Sequence, residues 1–170
     1  LRKKIFYVIF TIIFVSYSSL ILASQKILVL GDSLSAAYMI PQDKSWVALL
    51  QNRLKEQYPL ITVINSSVSG ETSGGGLRRL PVLLKQHHPD LIIIELGGND
   101  GLRGMPVAGI RANLEKIIKL SQDSGAKVLL VGVRLPPNYG DTYTNAFFDN
   151  YKKVSKQYNT DLVPFFLDKV

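Results

Sequence analysis

The sequence predicts an α/β fold, a parallel sheet inside a three-layer α/β/α sandwich. Two observations carry that prediction. From residue 26 onward, short apolar runs alternate with stretches of helical spacing. The runs are apolar on both faces, as strands buried between two helical layers are, and each is followed by a helix that can serve as a right-handed crossover.

The elements follow in order. "KILVL" (26–30) is a buried strand stopped by Gly31. Trp46, Leu49, Leu50 and Leu54 recur at helical spacing, and Pro59 ends that helix. "ITVIN" (61–65) is a second strand. "GLRRLPVLLKQHH" (76–88) is a helix whose weak point is Pro81. "LIIIEL" (91–96) is the strongest strand in the chain. Ile110, Leu114, Ile117 and Ile118 mark the next helix, with Gly125 at its end. "KVLLVGV" (127–133) is a fourth strand. Phe147, Tyr151, Val154 and Tyr158 share one face of a fourth helix, and "LVPF" (162–165) starts a fifth strand. There is no internal repeat, linker or second domain.

The chain has 170 residues, of which 46% are apolar and 19% charged, enough for one domain with a full core. It has no cysteine, which excludes disulfides and thiolate metal sites. Only two histidines exist, and they are adjacent, so a metal centre has little support. At the start, Arg2, Lys3 and Lys4 precede the apolar stretch 5–23. This is the layout of an export signal, with Ala23 as the cleavage position, although Ile21 is larger than the usual small residue there. As a helix the stretch would reach about 28 Å at ~1.5 Å per residue, so an uncleaved membrane anchor is the main alternative, and a buried core helix, since no polar face is visible, the other. Residues 1–23 are thus expected to be a signal peptide or anchor, and the protein periplasmic or secreted, or else membrane-anchored. The formal charge of +7 partly belongs to this segment. The remaining basic residues are scattered and not interleaved with aromatics, which argues against nucleic-acid binding.

Three polar, Gly-rich loops fall after the first three strands: "GDSLS" (31–35), "SSVSGETSGGG" (66–76) and "GGNDGLRG" (97–104). In a parallel sheet, ligands bind beyond the carboxyl ends of the strands. The loops bring a hydroxyl, backbone amides and a side-chain amide to that rim. Acyl transfer needs this set: an attacking oxygen, and donors aimed at the oxyanion that forms. Each loop alone has a plainer explanation. A Ser or Asp after a strand caps a helix, glycines serve turns, and Asn99 can close a turn through its own side chain. There is no G-x-x-x-x-G-K-[ST], no G-x-G-x-x-G and no G-x-S-x-G.

"GDSLSAAY", "SVSGETSGGGLRRL", "ELGGNDGLRG" and "RLPPNYG" together resemble the blocks of the GDSL, or SGNH, hydrolases, in residues and in spacing. The resemblance runs from about Lys26 to Val170. One departure is Met39, where the family often has Gly. The resemblance implies a flavodoxin-like parallel sheet and a secreted esterase of the thioesterase, lysophospholipase and arylesterase type, working through an acyl-serine. It makes Ser33 the nucleophile, and it makes the Ser33 and Gly70 N–H groups and the Asn99 side-chain amide the oxyanion donors. Leu102, Met105 and Pro106 are candidates for an acyl groove, with loop packing as the alternative. No cofactor or metal is implied. The expected partner is a small acyl ester or thioester, and the expected state a monomer.

The family draws its acid and base from a late D-x-x-H motif, which this sequence lacks. We therefore expect the hydrolase domain, 24–170, to be truncated at its C-terminus and the chain to be catalytically impaired, with neither catalytic His nor catalytic Asp. His87 and His88 precede the strand at 91–96, and so lie at the end of the sheet opposite Ser33. They are expected to cap the helix before them. Asp32 is expected to make a structural hydrogen bond, and Asp168 to lie on the surface. Two other readings share the fold: a protein that binds an acyl or acetyl ligand without turning it over, and a flavodoxin-like nucleotide binder, which fits the sheet but not the motifs.

Overall fold

The computed structural model describes residues 24–168. The expected signal or anchor lies outside them, and no helix among the described residues is long and apolar enough to cross a membrane. The elements are β1 (Lys26–Gly31), α1 (Trp46–Gln57), β2 (Thr62–Asn65), α2 (Ser73–His87), β3 (Leu91–Glu95), α3 (Gly98–Leu102), α4 (Val107–Asp123), β4 (Lys127–Val131), α5 (Asp141–Tyr158) and β5 (Asp161–Val163). The five strands form one parallel sheet in the order β2-β1-β3-β4-β5. The chain leaves β1 in one direction to form β2, then returns past it to form β3. The winding therefore reverses between β1 and β3, the place beyond whose carboxyl ends ligands bind in sheets of this kind.

Strand alternation divides the core. Leu28, Leu30, Ile92, Ile94, Val128 and Leu130 face one side, against Leu80 of α2, Ile110, Leu114, Ile117 and Ile118 of α4, and Phe147, Tyr151 and Val154 of α5. Ile27, Val29, Ile93 and Val131 face the other, against Trp46, Val47, Leu50 and Leu54 of α1 and against Phe166. Each fully buried Leu, Ile or Phe contributes about 1.5–3 kcal/mol relative to exposure.

Local signals set the helix limits. Ser45 caps α1 by accepting from the Ala48 N–H at 3.2 Å, and Thr72 caps α2 by accepting from the Gly75 N–H at 3.1 Å. Helix α2 starts three residues before the predicted Gly76, because that cap recruits the glycines into the first turn. Gly76 is also where the helix comes closest to the sheet: a Cβ there would collide with Leu96. Pro81 lies inside α2 rather than breaking it. It is exposed, so the Leu77 carbonyl deprived of its helical donor can be met by water. The five-residue helix α3 inside the third loop was not predicted, because "GGNDGL" carries turn residues and no apolar period.

Candidate active site

Strand β1 ends at Gly31, and the chain turns at once. Asp32, not Ser33, caps that turn. Its carbonyl accepts from the Ser35 and Ala36 N–H groups at 3.2 and 2.9 Å, and its Oδ1 accepts from the Leu34 N–H at 3.0 Å. The structural hydrogen bond expected of Asp32 is therefore present. Ser33 rides on the turn, half-buried, and among the described residues neither its hydroxyl nor its N–H makes a hydrogen bond.

The second loop is tied to the first by the Val68 N–H, which donates to the Gly31 carbonyl at 3.0 Å. Arg79 braces it from α2, donating from Nε to Glu71 Oε2 at 2.7 Å and from its guanidinium to the Ser66 carbonyl at 2.9 Å. Gly70 sits at φ +76°, a left-handed conformation that glycine adopts without penalty. Its N–H is also without a partner among the described residues, while its carbonyl accepts from Arg103 at 3.2 Å.

The third loop turns at Gly97, φ +109°, where a Cβ would lie 2.6 Å from the Tyr151 hydroxyl. That turn starts α3 and aims Asn99 between the other two loops. Asn99 Nδ2 donates to Asp32 Oδ2 at 3.0 Å and to the Glu71 carbonyl at 2.9 Å. It thus touches the residue before Ser33 and the residue after Gly70. The three predicted groups are brought together, but both amide hydrogens of Asn99 are engaged. Next to it, buried Asp100 accepts from the N–H and the hydroxyl of Ser73 and so fastens the start of α2 to α3.

Leu102, Met105 and Pro106 are all exposed at the rim rather than packed in the core. Their loop is anchored through its backbone: Tyr139 donates to the Leu102 carbonyl at 2.9 Å and Tyr143 to the Met105 carbonyl at 2.6 Å. Leu34, Tyr38, Met39, Ile40 and Val68 add exposed apolar surface from the first and second loops.

His87 ends α2, and His88 is its left-handed cap. The His87 carbonyl lies 3.1 Å from Lys26 Nζ, at the start of β1. Ser33 lies past the other end of that strand, whose five steps of ~3.3 Å span about 16 Å. Neither histidine reaches the serine. Asp168 is exposed, as expected.

One group at the site escaped the sequence reading. Glu95 closes the most apolar strand of the chain and is fully buried. Its Oε2 accepts from the Ser35 hydroxyl at 2.8 Å and from the Asp32 N–H at 3.3 Å. Burial, and then repulsion from Asp32, push its carboxyl up to about 8. Burial also raises Asp32, against the hydrogen bonds from Leu34 and Asn99 that favour its charged form. The signal was present in "LIIIEL": a carboxylate on the strand face of Leu91 and Ile93, where the alternation calls for an apolar side chain.

A doubly wound parallel sheet that gathers a free serine hydroxyl, free backbone N–H groups and a side-chain amide at its carboxyl rim defines an acyl-transfer class of α/β/α protein. Residues 29–169 match the model of the GDSL-like lipase/acylhydrolase family. The arylesterase of Vibrio mimicus is 52% identical over 159 residues, 94% of this chain and 80% of that protein. The thioesterase 1/protease 1/lysophospholipase L1 of Escherichia coli K12 is 43% identical over 148 residues, 87% of this chain and 70% of that protein. The crystal structure of TesA superposes with a TM-score of 0.83 at 52% identity, over 86% of this chain and 81% of that one. The chain belongs to the GDSL-like lipase/acylhydrolase family.

Proposed function

We propose that this protein is a serine esterase that cleaves acyl esters and thioesters through an acyl-Ser33 intermediate. The observation that carries the reading is that Asn99 bonds the neighbours of both Ser33 and Gly70, whose N–H groups, like the Ser33 hydroxyl, have no partner among the described residues. In the reaction, Ser33 Oγ bonds to the substrate carbonyl carbon as its proton passes to a base. The carbonyl oxygen becomes an oxyanion held by the two N–H groups. Asn99 joins them by exchanging one of its two hydrogen bonds for the oxyanion. Collapse expels the alcohol or thiol, and water then hydrolyses the acyl-serine. A single oxyanion donor is worth roughly 3–4 kcal/mol in such a transition state.

The exposed apolar residues at the rim suit an acyl chain or an aryl group, in keeping with relatives named arylesterase and thioesterase/lysophospholipase. The reading calls for neither a metal nor a cofactor, and it treats the protein as a monomer. The basic start and apolar stretch of residues 1–23 support export, to the periplasm or beyond, with retention in the membrane as the alternative.

No described residue is placed to take the Ser33 proton. Both histidines are at the far end of the sheet, and both Asp32 oxygens already accept hydrogen bonds. The 170-residue chain should therefore turn over a p-nitrophenyl acyl ester slowly; loss of the base costs on the order of 10⁶ in serine hydrolases of like logic. What activity remains should change little in Ser33→Ala, because nucleophile and base act as a unit. A fluorophosphonate should instead label Ser33, and labelling that persists in Ser33→Ala would defeat the assignment of the nucleophile.

A further inference from the structure

Glu95 is a buried acid that the proposed reaction leaves without a task. Among the described residues no cation pairs with it. The ionisable groups facing it are Asp32, from the turn after β1, and Tyr151, from α5; Asp100 of α3 adds negative charge beside Asp32. Helix α1 contributes only Trp46, whose indole N–H donates to Ser35 Oγ at 3.2 Å. That bond leaves the Ser35 hydroxyl to donate its own proton to Glu95. Gly31, paired with Glu95 across β1 and β3, makes the room. A Cβ there would stand 2.7 Å from Ser35 Cβ and 2.9 Å from Glu95 Oε2.

We propose that Glu95 is a positioning residue for Ser33, gripping the nucleophile turn on both sides of the serine through the Asp32 N–H and the Ser35 hydroxyl, with Trp46 locking the grip. This rests on Ser33 being the nucleophile. Glu95 acts as the uncharged acid. Burial and the adjoining Asp32 carboxylate keep its proton on, while Oε2 accepts both bonds from the turn. A neutral Glu95 leaves the charge to Asp32, which uses it to hold the Leu34 N–H and the Asn99 amide. Ionising Glu95 sets two carboxylates against each other and loosens the turn.

Two measurements on the full chain test this. In ¹⁵N-labelled protein, the Leu34 N–H and the Asn99 side-chain amide should shift together with a midpoint near pH 8. In Glu95→Gln, whose amide accepts and donates in the same places without ionising, that midpoint should be absent. Phenylboronic acid forms a B–O bond to a serine oxygen and becomes a tetrahedral anion, the serine proton passing to the buffer, so the adduct is read at equilibrium rather than by turnover. Its affinity at pH 7 should fall by up to about 10²-fold in Glu95→Leu, the scale of a misplaced reacting group, and stay close to wild type in Glu95→Gln. If Glu95→Leu does not fold, Ser35→Ala replaces it and should fall in the same direction.

A Glu95→Gln protein that keeps the midpoint would overturn the proposal. So would a folded Glu95→Leu, or Ser35→Ala in its place, that binds the boronate like wild type. Boronate that Ser33→Ala binds as tightly as wild type refutes the nucleophile instead. The pH titration then still decides whether Glu95 holds the turn.

Discussion

At the scale of single residues, the division of labour between Asp32 and Ser33 matters most. A serine placed directly after a strand would ordinarily be taken up by capping. Here Asp32 does the capping with both its carbonyl and its carboxylate, and the hydroxyl next to it is left free. Met39 shows the opposite situation, a residue in a conformation it does not favour. It sits at φ +59° and is 86% exposed, so the backbone strain is offset by little burial. This is the position where the family often has Gly. Met39→Gly should raise stability by up to about 1 kcal/mol, read as a higher midpoint in thermal denaturation.

At the scale of elements, the site is held by the ends of α2 and α3. Asp100 takes both the N–H and the hydroxyl of Ser73, and Asn113 of α4 donates to the same hydroxyl at 3.0 Å. Asp100→Ala would leave buried donors without an acceptor, at about 1–3 kcal/mol each, so chemical denaturation should show a clear loss of stability. The strands, α1, α4 and α5 were legible in the sequence because their apolar spacing is strong. The start of α2 was not, because "SGGG" reads as a loop until Thr72 is seen to cap it. Nor was α3, which has no apolar period of its own and is held by its neighbours. At the site, Ser33, Gly70 and Asn99 could be read from their loops. The bonds between Asn99 and Asp32, and between Glu95 and Ser35, could not, since they join residues 67 and 60 positions apart.

At the scale of the molecule, a buried acid makes the whole fold sensitive to pH. The folded state raises Glu95 from an ordinary value of 4.5 to about 8. Between those values the native protein holds a proton that the unfolded chain gives up. Stability is therefore fully present below about pH 4.5 as far as this group is concerned, and falls as pH rises towards about 8. Asp32, also raised, acts in the same sense. Thermal midpoints across this window should decline on the alkaline side, and the slope should flatten in Glu95→Gln.

The reversal of winding between β1 and β3 also bears on how the protein is made. Strand β1 finds its central neighbour only after some sixty further residues have been built, so the pairing is distant in the chain and slow to form. A nascent or half-folded chain holds Ser33 on one segment and Asn99 on another, with no hole between them. Whatever these two residues do together must wait until β1 and β3 have paired.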